Sequence, residues 1–401
     1  MSFQRRNFGG SNRNRPVSRG NFGGGGGGRG GNKIRYMHVD PRMLIKEATP
    51  RVEGSYTPVH QFVDFPLDPI VQKNIVIKGY TAPSPIQDKT IPEILAGRDV
   101  IGLANTGTGK TAAFMFPLLT KVIANSNERV LIITPTRELA IQIVDEGLYF
   151  SRGSRVYFSL VIGGASMGKQ MNELRRGPQM VVGTPGRLKD MMERGMLKLD
   201  QYQTIVLDEV DRMLDMGFVR DIRTLIDRMP KVKHSLFFSA TMSREARAVA
   251  NEFLVNPITI EIESQRASDN VNQDVVYVQG RNKVDVLHDL LVMPGFDKVL
   301  VFGRTKHGME KLSEMLNERG FKSTAIHGNK SQSQRQRALR DFETNQVQIL
   351  LATDVASRGL DIDDVTHVIN YELPETYEDY IHRIGRTGRA EKGGMALTFI
   401  D

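Results

Sequence analysis

Short apolar runs rich in β-branched residues alternate with longer amphipathic stretches from about residue 60 onward. The first runs read DVIGLA, RVLIITP, FSLVIGG, QMVVGTP, TIVLDE and SLFFSAT, and each ends in polar, glycine or proline residues. TAAFMFPLLTKVIAN is one of the longer stretches, and its pattern is typical of a helix. Strands that alternate with helices predict a parallel sheet covered by helices on both faces.

The same rhythm restarts near residue 275, which indicates a second domain of similar kind. Its runs are VVYVQG, KVLVFGRT, KSTAIHG, VQILLATD, THVINYE and MALTFID. Between the two series lies ESQRASDNVNQD, which is polar and lacks periodicity, so we interpret it as a linker. We predict a first α/β domain over residues 62–262, a linker over 263–273 and a second α/β domain over 274–401. In such sheets, chemistry collects at the carboxyl ends of the strands.

The first 33 residues are rich in glycine, asparagine and arginine, which predicts a disordered arm. Residues 1–31 contain six arginines and no acid, so they account for six of the eight net positive charges. Arginine contacts phosphates and stacks on bases, which favours a nucleic-acid-binding arm over a solubilising tail. Residues 34–61 form an N-terminal extension, and the pattern leaves open whether it packs on the first domain or binds a protein partner.

Composition narrows the class of protein further. The 401 residues include no cysteine, which excludes disulfides and cysteine-ligated zinc sites. Apolar runs stay well short of the roughly 20 residues that cross a bilayer. The segment MSFQRRNFGG lacks the apolar core of a secretory signal. We therefore expect a cytoplasmic protein with no membrane partner.

The segment ANTGTGKT, residues 104–111, fits a phosphate-binding loop, because it follows a predicted strand and precedes a predicted helix. Gly107 and Gly109 let backbone N–H groups face phosphate oxygens, and Lys110 can reach the β- and γ-phosphates. The hydroxyl of Thr111 can hold Mg²⁺. The predicted ATP-binding loop comprises Ala104, which replaces the usual first glycine, Asn105, Thr106, Gly107, Thr108, Gly109, Lys110 and Thr111.

A pair of carboxylates follows the apolar run IVL, in the segment IVLDEVDRMLDMGF. Asp208, at the end of a buried strand, can bind the Mg²⁺ shell directly or through water. Glu209 can polarise the water that attacks the γ-phosphate. A nucleoside triphosphate and Mg²⁺ are therefore the expected substrate and metal, with Lys110 as the third catalytic residue of this domain.

With these two motifs in place, residues 60–401 resemble the DEAD-box family of ATP-dependent RNA helicases. About a dozen motifs occur in the order that this family shows, including GYTAPSPIQ (79–87), PTRELA (135–140), SAT (239–241) and YIHRIGRTGR (380–389). The resemblance implies an α/β fold of two tandem RecA-like P-loop NTPase domains with parallel sheets, acting as a monomer. DRMLDMGF and HGNKSQ resemble the bacterial RhlE-like branch of the family.

The resemblance also implies roles around the nucleotide. Gln87 would read the adenine edge, and Arg386 and Arg389 would be arginine fingers. Two arginines of the second domain can reach a γ-phosphate on the first only if the domains close, and such a finger contributes about 10³–10⁵ in rate. The nucleotide contacts implied outside the phosphate loop are Phe62, Tyr80, Gln87 and Asp361.

Further motifs of the family face RNA or couple hydrolysis to strand separation. GG (163–164), TPGR (184–187), VFGRTK (301–306), HGNKSQSQR (327–335) and ATDVASRGLDI (352–362) match the family's motifs. Contacts of this kind read the backbone of single strands and short duplexes, and the 2′-OH distinguishes RNA. The implied RNA-binding residues are Pro135, Thr136, Arg137, Gly163, Gly164, Thr184, Gly186, Arg187, Arg304, Gln332, Arg335 and Thr353. The implied coupling residues are Asp211, Ser239, Ala240, Thr241 and His382.

Val210 stands where the family has alanine. If the strand continues to this position, Val210 points to the same side as Asp208. Two added methyl groups cost about 1–3 kcal/mol if they overpack the site, and they could displace Asp211. We expect ATPase activity to survive with modestly altered coupling. Two alternatives stay open: an RNA clamp with negligible turnover, and a DNA helicase on the same fold.

Overall fold

The computed structural model describes residues 41–48, 56–105, 107–262, 270–354, 362, 364–388 and 393–400. The predicted arm of residues 1–33 lies outside the described residues, as does most of the predicted linker. Within the described part of the chain, no helix is long and apolar enough to cross a membrane.

The first domain is built on a seven-stranded parallel sheet. Its strands are β1 (Val100–Leu103), β2 (Val130–Ile133), β3 (Phe158–Val161), β4 (Met180–Gly183), β5 (Thr204–Leu207), β6 (His234–Ser239) and β7 (Ile258–Glu261), in the spatial order β3-β4-β2-β5-β6-β1-β7. All neighbouring strands pair in parallel. β1 to β6 are the six apolar runs of the sequence. β7 was missed because it is a half-exposed edge strand without a continuous apolar run.

Helices cover both faces of this sheet. They are α1 (Pro69–Lys78), α2 (Pro85–Leu95), α3 (Lys110–Ala124), α4 (Arg137–Phe150), α5 (Met167–Arg175), α6 (Pro185–Glu193), α7 (Val210–Asp215), α8 (Val219–Ile226) and α9 (Arg244–Phe253). Alternate strand residues enter separate apolar clusters: Val130 and Ile132 join one, whereas Leu131 and Ile133 join the other. Because both faces are buried, the strands read as continuous apolar runs.

The second domain repeats the plan with a six-stranded parallel sheet. Its strands are β8 (Val271–Tyr277), β9 (Val299–Phe302), β10 (Ser323–Ile326), β11 (Ile349–Ala352), β12 (His367–Asn370) and β13 (Gly394–Ile400), in the spatial order β10-β11-β9-β12-β13-β8. Its helices are α10 (Lys283–Leu291), α11 (Lys306–Glu318), α12 (Gln332–Glu343) and α13 (Tyr377–Ile384). Residues 271–273 belong to β8 rather than to the predicted linker, since the polar residues Asn272, Gln273 and Asp274 interrupt the apolar pattern at the start of this strand.

The N-terminal extension contacts both domains. A short 3-10 turn, Pro41–Leu44, lies on the second domain, where Lys46 bridges Gln273 of β8 in antiparallel orientation. Residues 56–60 lie on the first domain, ahead of a second 3-10 turn, Phe62–Asp64. The extension therefore packs on the second domain as well as on the first.

Candidate nucleotide and RNA sites

The phosphate loop lies between β1 and α3, as the sequence predicts. Gly107 and Gly109 have positive φ angles of 81° and 89°, which L side chains rarely adopt. A Cβ atom on Gly109 would lie 2.3 Å from Nε2 of Gln87, so only glycine fits this position. The side chain of Lys110 donates to the carbonyl oxygens of Ala104 (2.5 Å) and Asn105 (3.1 Å). Thr106 lies outside the described residues.

Gln87 ties the start of α2 to the phosphate loop. Its Oε1 accepts from the Ser84 amide (3.0 Å), and its Nε2 donates to the Gly109 carbonyl oxygen (3.1 Å). Ser84 Oγ also donates to the carbonyl oxygen of Thr108 at 2.8 Å. Both polar atoms of the Gln87 amide are therefore engaged by the protein, and its role as a reader of adenine stays a prediction.

The two aromatic residues predicted near the base pack on each other. The rings of Phe62 and Tyr80 stack with centroids 6.1 Å apart, and Tyr80 also stacks on Phe150 at 5.8 Å. Burial raises the pKa of Tyr80 to about 12, with the charge of Glu146 adding to the effect. Of these two residues, only Tyr80 borders the cavity that also contains the phosphate loop, whereas Phe62 is buried. Phe62 therefore packs against the Tyr80 ring and does not border the cavity itself.

A cavity of about 490 Å³ brings the phosphate loop and the carboxylate pair together. Its lining includes Tyr80, Gly107, Gly109, Lys110, Thr111, Asp208 and Glu209. Asp208 and Glu209 reach it because β5 ends at Leu207, two strands from β1 in the sheet. The carboxyl ends of parallel strands share one edge, so residues about 100 positions apart meet there.

Asp208 has the electrostatics of a cation ligand. Burial raises its pKa to about 7, with the charges of Glu209 and Asp211 acting in the same direction and Lys110 acting against them. Described residues contain no group of three or more His, Cys, Asp and Glu side chains placed to hold a metal. Mg²⁺ usually needs only one or two carboxylates and takes its other oxygens from water and phosphates. Asp208 and the Thr111 hydroxyl fit that requirement.

Glu209 marks the turn from strand to helix. It adopts the left-handed conformation, with φ 53° and ψ 53°, immediately before α7. Its Oε2 accepts from Nη1 of Arg212 at 2.8 Å, and both side chains are buried. The sequence motifs did not single out Arg212, although the spacing of three residues on a helix is that of an ion pair.

Asp211 connects the carboxylate segment to the residues after β6. Its Oδ2 accepts from the amides of Ala240 (3.0 Å) and Thr241 (3.0 Å) and from the Thr241 hydroxyl (3.3 Å). The Asp211 amide donates to Ser239 Oγ at 3.2 Å. The structure therefore brings four of the five predicted coupling residues into one hydrogen-bonded group.

Val210 does not extend the strand, so the condition under which it would share a side with Asp208 is not met. β5 ends at Leu207, and Val210 is the first residue of α7. The Val210 side chain is fully buried in the apolar cluster that also contains Leu207 and Met213. The extra methyl groups therefore fill the core beneath the site, and the hydrogen bonds of Asp211 remain intact.

A second cavity, of about 420 Å³, collects most of the predicted RNA-binding residues. Its lining is Pro135, Thr136, Arg137, Glu138, Gly163, Thr184, Gly186, Arg187, Met216, Phe218, Gly328 and Arg335. Four predicted RNA-binding residues are not among the lining residues: Gly164, Arg304, Gln332 and Thr353. Arg304 donates through its backbone amide to Glu372 and through Nε to the carbonyl oxygen of Leu373 (2.9 Å).

The glycine pair of the RNA-facing set makes room for an arginine. Gly164 has φ 78°, and a Cβ atom there would lie 2.3 Å from Nη1 of Arg137. Burial lowers the pKa of Arg137, and the positive charges of Arg335 and Arg187 act in the same direction, against Glu138. Three guanidinium groups therefore share one cavity, which is the electrostatic setting for a phosphate.

Glu138 links the two domains, although no sequence motif singled it out. Its Oε1 accepts from Nε of Arg335 (2.8 Å) and from Nε2 of Gln332 (3.3 Å), both at the start of α12. All three side chains are buried. Gln332 and Arg335 thus contact the first domain, and Arg335 also lines the cavity of the predicted RNA-binding residues.

Arg383 is a second residue that the sequence motifs did not single out. It lies on α13, three residues before Arg386, and its guanidinium donates to Asp354 (2.5 and 2.7 Å), Asn370 Oδ1 (3.2 Å) and the Glu372 carbonyl oxygen (2.7 Å). Arg386 is buried, and its Nε donates to the His382 carbonyl oxygen at 3.3 Å. Arg389 and Asp361 lie outside the described residues.

The fold and these sites together define a P-loop NTPase of two tandem RecA-like domains. Residues 84–249 match the DEAD/DEAH box helicase family, and residues 282–391 match the helicase conserved C-terminal domain. The ATP-dependent RNA helicase CshA of Listeria monocytogenes is 45% identical over 342 residues, which cover 85% of this chain and 66% of that protein. The DEAD-box ATP-dependent RNA helicase CshA of Bacillus subtilis is 43% identical over 341 residues, which cover 84% of this chain and 69% of that protein.

A solved structure supports the same assignment. The chain resembles S. cerevisiae Dbp5 bound to RNA and ADP BeF3, with a TM-score of 0.74 and 31% identity over 85% of this chain and 89% of that one. The chain therefore belongs to the DEAD-box family of ATP-dependent RNA helicases. Both relatives are named CshA, so the comparisons support the family and not the RhlE-like branch. The chain spans about two thirds of their length.

Proposed function

We propose that this chain binds the backbone of single-stranded RNA across both domains and separates short RNA duplexes locally when ATP closes the domains. The observation that carries this proposal is the cavity in which Arg137 and Arg187 of the first domain face Arg335 of the second. Three guanidinium groups with one neighbouring carboxylate, Glu138, favour polyanionic backbone. Such a site holds phosphates without reading bases, so short duplexes of many sequences are suitable substrates.

Nucleotide chemistry takes place in the first domain. Lys110 exchanges its two loop carbonyl oxygens for the phosphates of ATP, which accept more strongly because they are charged. Asp208 and Thr111 would hold Mg²⁺, and the metal would supply positive charge against the negative charge that develops on the phosphates. Glu209 orients the attacking water, and its ion pair with Arg212 fixes its carboxylate in place.

Closure completes the site. Arg386 and Arg389 move onto the γ-phosphate as fingers, and Asp361 meets the ribose. RNA phosphate would contact Arg137 and Arg187 of the first domain and Arg335 of the second at once, so RNA binding and domain closure stabilise each other. Because both halves of the site come from one chain, a monomer suffices.

Steady-state ATPase activity with and without single-stranded RNA tests this function, with Glu209→Gln as the inactive control. We expect strong stimulation by RNA, and its loss in the variant. Tight ATP-dependent RNA binding without turnover would instead favour the clamp. Unwinding of matched RNA and DNA duplexes tests the substrate, and equal rates on both would refute the RNA preference.

A matched pair of arginine variants tests the RNA path. Arg335→Ala removes a cavity guanidinium, whereas Arg337→Ala removes an exposed guanidinium from the same helix. We expect Arg335→Ala to weaken RNA binding at least tenfold and to flatten its salt dependence by about one charge. Arg337→Ala should change neither. Equal behaviour of the two variants would contradict the proposed path.

A further inference from the structure

The N-terminal extension makes contacts, through residues 41–48 and 56–60, that the helicase mechanism above does not use. Its front part, residues 41–48, lies on the second domain, and its rear part, residues 56–60, lies on the first. We call these two parts the front anchor and the rear anchor. Each makes contacts that are specific rather than incidental.

The front anchor pairs with the edge strand of the second sheet at one position, through an isolated antiparallel bridge between Lys46 and Gln273. The backbone amide of Lys46 donates to the Gln273 carbonyl oxygen (2.9 Å), and the Gln273 amide donates back (2.7 Å). The Ala48 amide donates to Asn272 Oδ1 at 2.8 Å. β8 is the edge strand of this sheet, and an added segment satisfies backbone groups that an edge strand leaves unpaired.

An apolar contact fixes the front anchor in register. Leu44 is fully buried in a cluster with Val271, Tyr380, Ile384 and Ala396, whereas the adjacent Ile45 is 50% exposed. Tyr380 and Ile384 belong to α13, the helix that ends two residues before Arg386. The front anchor therefore packs directly against the helix that precedes the proposed finger.

The rear anchor is held by one buried carboxylate. Asp88 accepts from the Tyr56 hydroxyl (2.6 Å), the Val59 amide (2.7 Å), the His60 amide (3.2 Å) and the His60 ring Nδ1 (2.7 Å). Asp88 follows Gln87 on α2, and Gln87 holds the phosphate loop. The rear anchor is thus tied to the helix on the ATP side of the first domain.

The chain length between the anchors limits how far the domains can separate. Seven residues connect Ala48 to Tyr56, which can span at most about 26–29 Å when fully extended. The linker between Ile262 and Asn270 also contains seven residues. The two domains are therefore joined at two places instead of one.

We propose that the front and rear anchors, which the chain joins through seven residues, together act as a strap that restricts opening of the two domains and holds α13 near the ATP side of the first domain. Only the expected effect of the strap on catalysis rests on the proposed function, because its effect on domain separation needs neither ATP nor RNA. Docking of the front anchor depends on Leu44, whose burial favours the docked form by on the order of tenfold or more. Leu44 and Asp88 act as positioning residues, because neither touches substrate in this proposal.

The distance between the domains provides the direct test. The chain contains no cysteine, so two labels can be attached at Lys231→Cys and Glu318→Cys, which replace exposed residues of the first and second domains. We expect a narrow distance distribution in the nucleotide-free protein. Leu44→Asp should broaden it toward longer distances, and Ile45→Asp, which places the same charge at the exposed neighbour, should leave it unchanged.

A second variant protects the test against misfolding. Lys46→Pro removes the amide that donates to Gln273 and leaves the apolar cluster intact. It should broaden the distribution as Leu44→Asp does. Unchanged distances in both variants, with unfolding transitions like that of the parent, would overturn the proposal.

The dependence of ATPase activity on RNA concentration provides a second measurement, which a purely structural role of the two anchors would leave unchanged. With the strap released, closure is less probable, so the RNA concentration for half-maximal ATPase should rise at least threefold. Saturating RNA closes the domains regardless, so kcat should stay within twofold. A fall in kcat with an unchanged RNA requirement would overturn the coupling to closure. Loss of all RNA stimulation in the parent protein would instead refute the helicase function, and the distance measurement would still decide the strap.

Discussion

Arg383→Lys is the substitution whose effect the structure determines most sharply. Arg383 is almost fully buried, and its guanidinium makes four hydrogen bonds to Asp354, Asn370 and Glu372. It also lies over the ring of Phe302, 5.1 Å from its centroid. These contacts join α13 to residues at the carboxyl ends of β11, β12 and β9.

Lysine keeps the charge but not the planar fork. Its single ammonium group can meet Asp354 or the pair of Asn370 and Glu372, but it cannot reach both sides. About two hydrogen bonds to a charged group are lost, at roughly 1.5–3 kcal/mol each. We therefore expect the substitution to lower the free energy of unfolding of the second domain by about 3–6 kcal/mol.

Urea unfolding followed by circular dichroism measures this loss, and hydrogen exchange locates it. Faster exchange should appear in α13 and β11 and not in β1 or α3. Arg337→Lys is the matched control, because its side chain is 83% exposed and its pair with Asp341 spans 3.7 Å. An exposed pair of this kind contributes about 0.5 kcal/mol or less. A loss below about 1 kcal/mol for Arg383→Lys would refute the reasoning.

Three further substitutions test the site. Gly164→Ala strains a positive φ and displaces Arg137, so it should weaken RNA binding at least tenfold in a binding titration. Gly168→Ala is the control, because its added Cβ meets no atom within 4 Å, and it should leave the affinity unchanged. Equal affinities of the two variants would contradict this. The pKa of Asp208 is raised to about 7, so ionisation of this carboxyl destabilises the ligand-free protein as pH rises from about 4 through 7. Asp208→Asn should therefore raise Tm more at pH 8 than at pH 5. A difference in Tm that does not depend on pH would refute this. Val210→Ala should lower the free energy of unfolding by about 1–2 kcal/mol, measured by urea unfolding, while RNA-stimulated ATPase activity persists. Unchanged stability with a changed ratio of unwinding to ATP hydrolysis would instead indicate that Val210 acts in coupling.

Local pattern was sufficient for most of the fold. The apolar runs of the sequence became β1 to β6 and β8 to β13, and the central strands among them are apolar throughout because they are buried on both faces. The phosphate loop and its helix were equally predictable, since glycines at positive φ followed by a lysine at a helix start are typical of phosphate binding. β7 escaped because a half-exposed edge strand has little apolar signal.

Pairings between distant residues were decided only by tertiary structure. Glu138 with Arg335 and Arg383 with Asp354 join residues 197 and 29 positions apart, and no spacing rule connects them. The turn at Glu209 likewise placed Val210 in the core, where alternation along a continued strand would have placed it elsewhere. Residues 41–60 showed no periodicity, because their anchors use isolated contacts to two domains. Periodicity reports which face of an element is buried, whereas ion pairs and anchors depend on what the fold brings to that face.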